Sequence, residues 1–232
     1  MNTTPAPTYY RDQQAWRALQ QFLPERLRLT DATAPEEEFW DWRGHRVHLD
    51  RYRNPEAKAK VVLHHGVGTN GRQMSLILGA PLAKRGFETV ALDNLGYGLT
   101  QVKPGTTPSY DDWVDLVVDF LAHEQSRDDH PTVLYGLSAG GMLTYHVAAK
   151  APRGTLRPRR RAAGLRRLPR APHPARRGPL DPPPPQRAGP LPHHQGPRRH
   201  RHARQRRPLP LEDPGLQQME DAIADFVTRN TA

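Results

Sequence analysis

The chain has no cysteine, which excludes a disulfide scaffold, a thiolate metal site and a cysteine nucleophile. It also has no apolar run near the roughly 18 residues that a membrane-spanning helix needs. The N-terminal residues have neither the cationic start nor the apolar stretch of an export signal, so we expect a cytoplasmic protein without a membrane span. A length of 232 residues suits one α/β domain of ordinary size.

Residues 151–210 contain no lysine, valine, isoleucine, methionine, phenylalanine, tyrosine or tryptophan. They hold 17 arginines, 15 prolines and a single acid, Asp181, so this segment carries a net charge of +16. Because the whole chain carries +10, the other 172 residues carry −6. The segment also lacks the aromatic residues on which bases stack. We therefore expect no specific nucleic-acid partner, and the basic charge describes one segment only.

The rest of the chain alternates strand-like and helix-like patterns. Two runs, 37–42 and 47–52, flank a turn at residues 43–45 and predict a β-hairpin. Short apolar runs predict buried strands at 60–64, 87–92 and 131–135, and helical spacing predicts helices at 72–85, 111–124 and 142–149. Strands separated by helices indicate an α/β fold with a mostly parallel sheet.

Composition divides the chain into four parts. Residues 1–35 form an N-terminal helical extension and residues 36–152 form the α/β core. Residues 153–210 are expected to be irregular, because buried parallel strands need β-branched and aromatic residues that this segment lacks. Residues 211–232 regain ordinary composition and predict one amphipathic helix, with apolar residues three and four positions apart: Leu216, Met219, Ile223, Phe226 and Val227.

The string Gly136-Leu137-Ser138-Ala139-Gly140 matches the pattern G-x-S-x-G. It follows a predicted strand and opens a predicted helix, where a strained turn lifts a serine hydroxyl clear of the sheet. Small residues at Gly136 and Gly140 let neighbouring backbone pass close to that turn. The alternative is an ordinary glycine-rich turn in which Ser138 only caps a helix.

Two further motifs stand in the same order as in a known family. His65 and Gly66 follow the strand at 60–64, and Asp93-Asn94-Leu95-Gly96-Tyr97-Gly98 follows the next strand. With the serine string, these motifs resemble the α/β-hydrolase family over residues 36–150 and the last twenty residues.

The resemblance implies roles for a small set of residues. Ser138 would be the nucleophile, and the backbone N–H groups of Val67 and Ala139 would form the oxyanion hole. The implied reaction is hydrolysis of an ester, thioester or amide of a small-molecule acyl substrate, with no cofactor. The general likeness is to esterases, lysophospholipase-like enzymes and serine-aminopeptidase-like hydrolases.

Other polar residues have simpler interpretations. Adjacent residues on a strand point to opposite faces, so His64 and His65 are structural rather than a metal pair, and we expect no metal site. His146 is expected on the surface or in packing, and Asp93 at a turn-forming position rather than as the triad acid.

The resemblance also implies a triad acid and a histidine after the nucleophile, and neither can be identified. Arg207-Pro208-Leu209-Pro210 can be encoded CGG CCA CTA CCG, which regroups one base along to Gly, His, Tyr. We therefore hypothesise that residues 153–210 are an out-of-frame translation between two compensating errors. The alternatives are a genuine basic linker, or a non-catalytic scaffold whose basic segment binds polyanions. The sequence leaves the oligomeric state open.

Overall fold

The computed structural model describes residues 8–151 and 214–231. Its centre is a five-stranded sheet of order β1-β2-β4-β3-β5. The strands are β1 (Glu36–Trp42), β2 (His45–Tyr52), β3 (Lys60–His64), β4 (Glu88–Leu92) and β5 (Thr132–Gly136). The first hairpin is antiparallel, and so is the pair β2 and β4, whereas β3 runs parallel to both β4 and β5. The predicted α/β fold with a mostly parallel core is confirmed.

The hairpin between β1 and β2 closes through two residues. Arg43 has a φ of 48° and Gly44 a φ of 84°. Two consecutive positive φ values give a turn whose twist matches that of the flanking strands. Because the turn needs only these two residues, His45 already belongs to β2 rather than to the turn.

Helices cover both faces of the sheet. They are α1 (Gln14–Leu19), α2 (Gly71–Met74), α3 (Ala80–Ala83), α4 (Tyr110–Arg127), α5 (Ala139–Lys150) and α6 (Gly215–Thr231). Five residues of π-helix, Ser75–Gly79, join α2 to α3. Pro81 follows this wide turn and has no N–H to bond the carbonyl of Ile77. The predicted helix at 72–85 is therefore present but interrupted.

The core has two halves because successive residues of β3 point to opposite faces. Val62 packs with α4 and α5 through Phe120 and Leu143. On the other face, Leu63 packs with Leu82 of α3 and with Ile223 and Val227 of α6, which completes that half of the core.

Three short 3-10 turns accompany α1 in the N-terminal part of the chain, at Tyr10–Asp12, Gln20–Phe22 and Glu25–Leu27. The arginine- and proline-rich segment expected to be irregular lies outside the described residues. Within the ranges that are described, no helix is both long enough and apolar enough to cross a membrane.

Candidate functional site

Ser138 lies at the strand-to-helix turn that the sequence predicts. β5 ends at Gly136 and α5 begins at Ala139, so only two residues connect them. Ser138 has φ 54° and ψ −120°, a conformation that L-residues rarely adopt. Its side chain is exposed. The strained turn therefore presents a serine hydroxyl at the carboxyl end of the parallel strands.

Glycine is required sterically on both sides of this turn. A methyl group on Gly136 would overlap the Gly140 carbonyl and the Thr144 hydroxyl. A methyl group on Gly140 would lie 2.6 Å from the carbonyl oxygen of His65. The loop after β3 and the start of α5 can approach each other only because these side chains are absent.

Gly66 brings the loop after β3 against the serine. A methyl group placed on Gly66 would lie 3.3 Å from Ser138 Cβ and 3.8 Å from Ser138 Oγ. A hydrogen bond from the Leu137 N–H to the His64 carbonyl, at 3.1 Å, connects the strand-to-helix turn to β3. Gly66 therefore lies directly against the side chain of Ser138.

Two backbone N–H groups near the serine have no internal partner. Ala139 follows Ser138 in the chain, and Val67 follows Gly66. Among the hydrogen bonds of the described residues, neither the Ala139 nor the Val67 N–H donates to any group. The side chain of Val67 is 70% exposed, so its loop faces solvent. Both N–H groups are free to bind an oxygen atom of a ligand.

Asp93 organises the loop after β4. Its Oδ1 accepts the Gly71 N–H at 2.6 Å, and its Oδ2 accepts the Tyr10 hydroxyl at 3.0 Å and the Leu99 N–H at 2.8 Å. The bond to Leu99 closes the turn formed by residues 94–98. Asp93 therefore occupies the turn-forming position expected of it.

A buried cluster of charges adjoins Asp93. His48 Nδ1 lies 3.1 Å from Asp93 Oδ2, and His48 Nε2 lies 3.2 Å from Glu37 Oε1. Burial alone would lower the pKa of His48, but the adjacent carboxylates of Asp93 and Glu37 raise it to about 9. Arg72 forms a bidentate salt bridge with Asp50, in which Nε and Nη2 donate to the two carboxylate oxygens at 2.6 and 2.8 Å. Despite this pair, burial raises the pKa of Asp50 to about 6.

Two sets of side chains have the donor atoms of a metal site. Glu37, His48 and Asp50 form one set, but the Arg72 guanidinium already lies between the two carboxylates. In the second set, which contains Asp128, the Lys60 ammonium lies 2.6 Å from that carboxylate. In both places a side-chain cation already neutralises the acids, so neither set fits a metal ion.

No histidine among residues 8–151 and 214–231 is hydrogen-bonded to Ser138. His64 and His65 use both ring nitrogens in other bonds. His146 is exposed and packs edge-to-face against Tyr110 at 5.5 Å, as expected for a surface residue. The later histidines, His173, His193, His194, His200 and His202, lie outside the described residues, and so does Asp181.

The charged cluster around His48 is not among the features predicted from the sequence. Its signal is the alternation within β2, where His48 and Asp50 share one face of a strand that is buried throughout its centre. Polar side chains on a buried strand need partners, so this pattern indicates an internal polar network. The identity of the partners, Glu37, Arg72 and Asp93, depends on tertiary contacts.

Comparison with known proteins adds one family and several structures. Residues 55–157 match the model of a hydrolase family described as serine aminopeptidase, S33. A thioesterase domain from the curacin biosynthetic pathway is 29% identical, covering 50% of this chain and 42% of its own, with a TM-score of 0.44. A CIB-like hydrolase from Thermoplasma acidophilum is 20% identical, covering 50% and 56%, with a TM-score of 0.43. A hydrolase from Pseudomonas aeruginosa is 22% identical, covering 50% and 42%, with a TM-score of 0.42.

The chain spans about half the length of these solved structures. None of the curated proteins compared with it matches.

Proposed function

We propose that this chain is a serine hydrolase acting through Ser138. The premise is that its sheet and its family match are those of an α/β-hydrolase. The substrate would be a carboxylic ester, a thioester or an amide. The observation that carries the proposal is the exposed Ser138 hydroxyl on a strained turn against Gly66. The residues that follow Ser138 and Gly66, Ala139 and Val67, have unbonded N–H groups.

The chemistry is acyl transfer in two stages. Ser138 Oγ attacks the carbonyl carbon, and the carbonyl oxygen becomes an oxyanion that accepts hydrogen bonds from Val67 and Ala139. The bond to the leaving group breaks, the leaving group departs with a proton, and an acyl-enzyme remains on Ser138. Attack by water then releases the acid and restores the hydroxyl.

Apolar rings beside the loop support an acyl substrate. The ring of Tyr97 packs on His65 with centroids 4.8 Å apart, and Trp113 packs on Tyr97 at 5.6 Å. His65 immediately precedes Gly66, the glycine that contacts Ser138, so this aromatic row starts one residue along the chain from that contact. Such a surface favours the apolar part of an acyl group over a charged one.

We expect low turnover from the chain as written, because no described histidine is in a position to take the proton of Ser138. In serine hydrolases the loss of the triad costs on the order of a millionfold in turnover, while a residual thousandfold or so over water survives through the oxyanion hole.

The test is acylation of the full chain by p-nitrophenyl acetate, measured by mass spectrometry of its peptides. We expect an acetyl group on Ser138 and none on Ser126, another exposed serine, which lies on α4. Equal labelling of the two serines would contradict the proposal.

The non-catalytic alternative makes a different prediction. A scaffold that uses the +16 segment would bind polyanions at a fixed stoichiometry, with an affinity that falls steeply as salt is added. Such binding, together with no contribution of Ser138 to ester hydrolysis, would favour the alternative over the hydrolase.

A further inference from the structure

The N-terminal strap, residues 8–27, has few buried residues. Only Tyr10 and Leu27 are buried within it. The helix α1 and the 3-10 turn that follows it contain no buried residue. The ring of Tyr10 packs edge-on against His48 at 5.0 Å and against Trp16 at 5.3 Å. The docking of the beginning of the strap therefore depends on Tyr10.

Two carboxylates hold this part of the strap. Glu37 Oε1 accepts the Tyr10 N–H at 2.6 Å, and Glu37 Oε2 accepts the Arg11 N–H at 3.1 Å. Asp93 Oδ2 accepts the Tyr10 hydroxyl at 3.0 Å. The side chains of both acids are no more than 1% exposed, so these bonds are shielded from solvent.

The ring of His48 lies against the same two oxygen atoms that bind Tyr10. Its Nε2 is 3.2 Å from Glu37 Oε1, and its Nδ1 is 3.1 Å from Asp93 Oδ2. Only the charged form of the ring carries a hydrogen on both nitrogens. A neutral ring must turn a lone pair toward one of these oxygens, which repels that carboxylate. The proton on His48 therefore helps to keep both oxygens where Tyr10 binds them.

The other charges around His48 reinforce this dependence. Asp50 Oδ1 lies 3.9 Å from His48 Nε2, and Arg72 pairs with both Asp50 and Glu37. The Arg72 guanidinium also lies over the ring of Tyr10, 5.0 Å from its centroid. When His48 loses its proton, Arg72 alone faces the three acids Glu37, Asp50 and Asp93. A buried surplus of negative charge is costly, and the docked strap is part of what buries it.

The titration of His48 sets the direction of the effect. Burial lowers its pKa, but the adjacent carboxylates raise it to about 9. Burial and then Asp93 raise the pKa of the Tyr10 hydroxyl, so that group keeps its proton over the same range. A histidine with a raised pKa stabilises its surroundings fully below its ordinary pKa of 6.5, and this contribution is lost as the pH rises through about 9.

We propose that the N-terminal strap is a pH-dependent latch, in which protonated His48 holds the Glu37 and Asp93 oxygens that bind Tyr10, and loss of that proton releases the beginning of the strap. The five strands pair with one another, so the sheet stays folded when the strap opens. The inference is independent of the role of Ser138.

The first measurement is the solvent exchange of the Tyr10 and Arg11 N–H groups, by NMR of the full chain at pH 6.5 and pH 9.5. Protection is expressed relative to an unstructured peptide, which removes the direct effect of pH on exchange. We expect it to fall at least about tenfold at the higher pH, the equivalent of one pKa unit. Leu63, in the central strand β3, should remain better protected than either residue. Unchanged protection of Tyr10 and Arg11, or equal protection of Leu63 at pH 9.5, would overturn the proposal.

A variant of His48 tests the source of the pH dependence. His48→Gln keeps a polar side chain but cannot titrate, so the protection of Tyr10 and Arg11 should differ by less than about twofold between the two pH values. His123→Gln is the matched control, since that ring stacks on Trp40 instead, and it should keep the wild-type pH dependence. A wild-type fall in His48→Gln would refute the role of His48.

The second measurement leaves His48 in place, so it does not depend on the folding of His48→Gln. Docking and protonation are linked, and each must affect the other to the same extent. An NMR titration of the His48 ring should show that the proton is bound at least about tenfold more weakly in Tyr10→Ala than in wild type. Tyr9→Ala, whose ring packs on Phe39, should keep the wild-type titration. Identical titrations of His48 in wild type and Tyr10→Ala would show that the strap and the proton are not coupled.

Discussion

Gly140 faces the carbonyl oxygen of His65 so closely that a methyl group on Gly140 would lie 2.6 Å from it, and 2.8 Å from the carbonyl oxygen of His64. This contact joins the first turn of α5 to the end of β3. The turn that carries the serine and the loop that carries Val67 therefore approach each other mainly through backbone atoms.

Gly140→Ala should destabilise the chain, since the two nearest atoms, the carbonyl oxygens of His65 and His64, are backbone and cannot rotate away. We expect a loss of about 1–3 kcal/mol in the free energy of unfolding, the usual cost of overpacking. Gly141→Ala is the matched control: its nearest neighbour would be the Gly136 carbonyl at 3.3 Å, and replacing a helical glycine gains up to about 1 kcal/mol. Urea unfolding measures both, and equal effects would show that the His65 contact is unimportant.

Asn94→Asp tests the hydrogen-bond chain through His64. The variant keeps an oxygen for the Leu95 N–H but sets a second acceptor against His64 Nε2, which is itself an acceptor. Burial lowers the pKa of His64 to about 3 in the wild type, and the new carboxylate should raise it. The loss of stability, about 1–3 kcal/mol for an unpaired buried group, should be larger at pH 8 than at pH 5, where His64 can take up a proton.

Unfolding experiments at the two pH values decide this prediction. An equal loss at pH 5 and pH 8 would mean that Asn94 does not donate to His64.

Loss of the proton on His48 should make the folded chain less stable at alkaline pH. Its folded pKa of about 9 lies above the ordinary 6.5 because of Asp93 and Glu37. A raised pKa stabilises the fold fully below pH 6.5, and the contribution disappears as the pH rises through 9. By linkage, the loss is on the order of 3 kcal/mol. Urea unfolding at pH 6.5 and pH 9 should show this fall in wild type and a much smaller one in His48→Gln; parallel curves would refute it.

Glu124 should be essential for stability at the end of the sheet opposite to the turn that carries Ser138. It is fully buried and lies 2.7 Å from Arg51 and 2.9 Å from Lys60, both of them also buried. Removing one member of a buried charge set leaves the others uncompensated. Glu124→Gln should therefore cost about 3–5 kcal/mol, while the exposed Asp129→Asn should change stability by less than about 0.5 kcal/mol. Thermal unfolding would measure both, and a small effect of Glu124→Gln would contradict this account.

Local sequence patterns predicted the helices and strands well wherever the residues that determine an element lie within that element. The strand at 60–64 has the predicted bounds, because five successive buried residues end at a polar loop. The helix predicted at 111–124 spans Tyr110–Arg127. Ser109 and Asp112 form a capping box that starts it one residue earlier than predicted.

The bonds that orient the site could not be predicted in the same way. The strained turn at Ser138 and the nearby glycines follow from the serine string and its setting. The bond from Asn94 to His65 and the contact between Tyr10 and Asp93 join residues 29 and 83 positions apart. Such contacts depend on how the loops after β3 and β4 pack, which no periodicity in the sequence encodes.

The triad that Ser138 needs is the subject of the last prediction, which uses only the coding DNA of residues 150–212. We propose that one alternative reading frame yields ordinary composition with valine, isoleucine and aromatic residues over most of this interval. It should contain an aspartate or glutamate after an apolar strand and end in Gly, His, an aromatic residue and Pro before Leu211. A chain restored to that frame should hydrolyse short activated esters and lose the activity on Ser138→Ala, because nucleophile, base and orienting acid act as one unit. If neither frame gives a histidine next to a glycine ahead of Leu211, the frame hypothesis fails, and the missing triad would instead favour the non-catalytic scaffold.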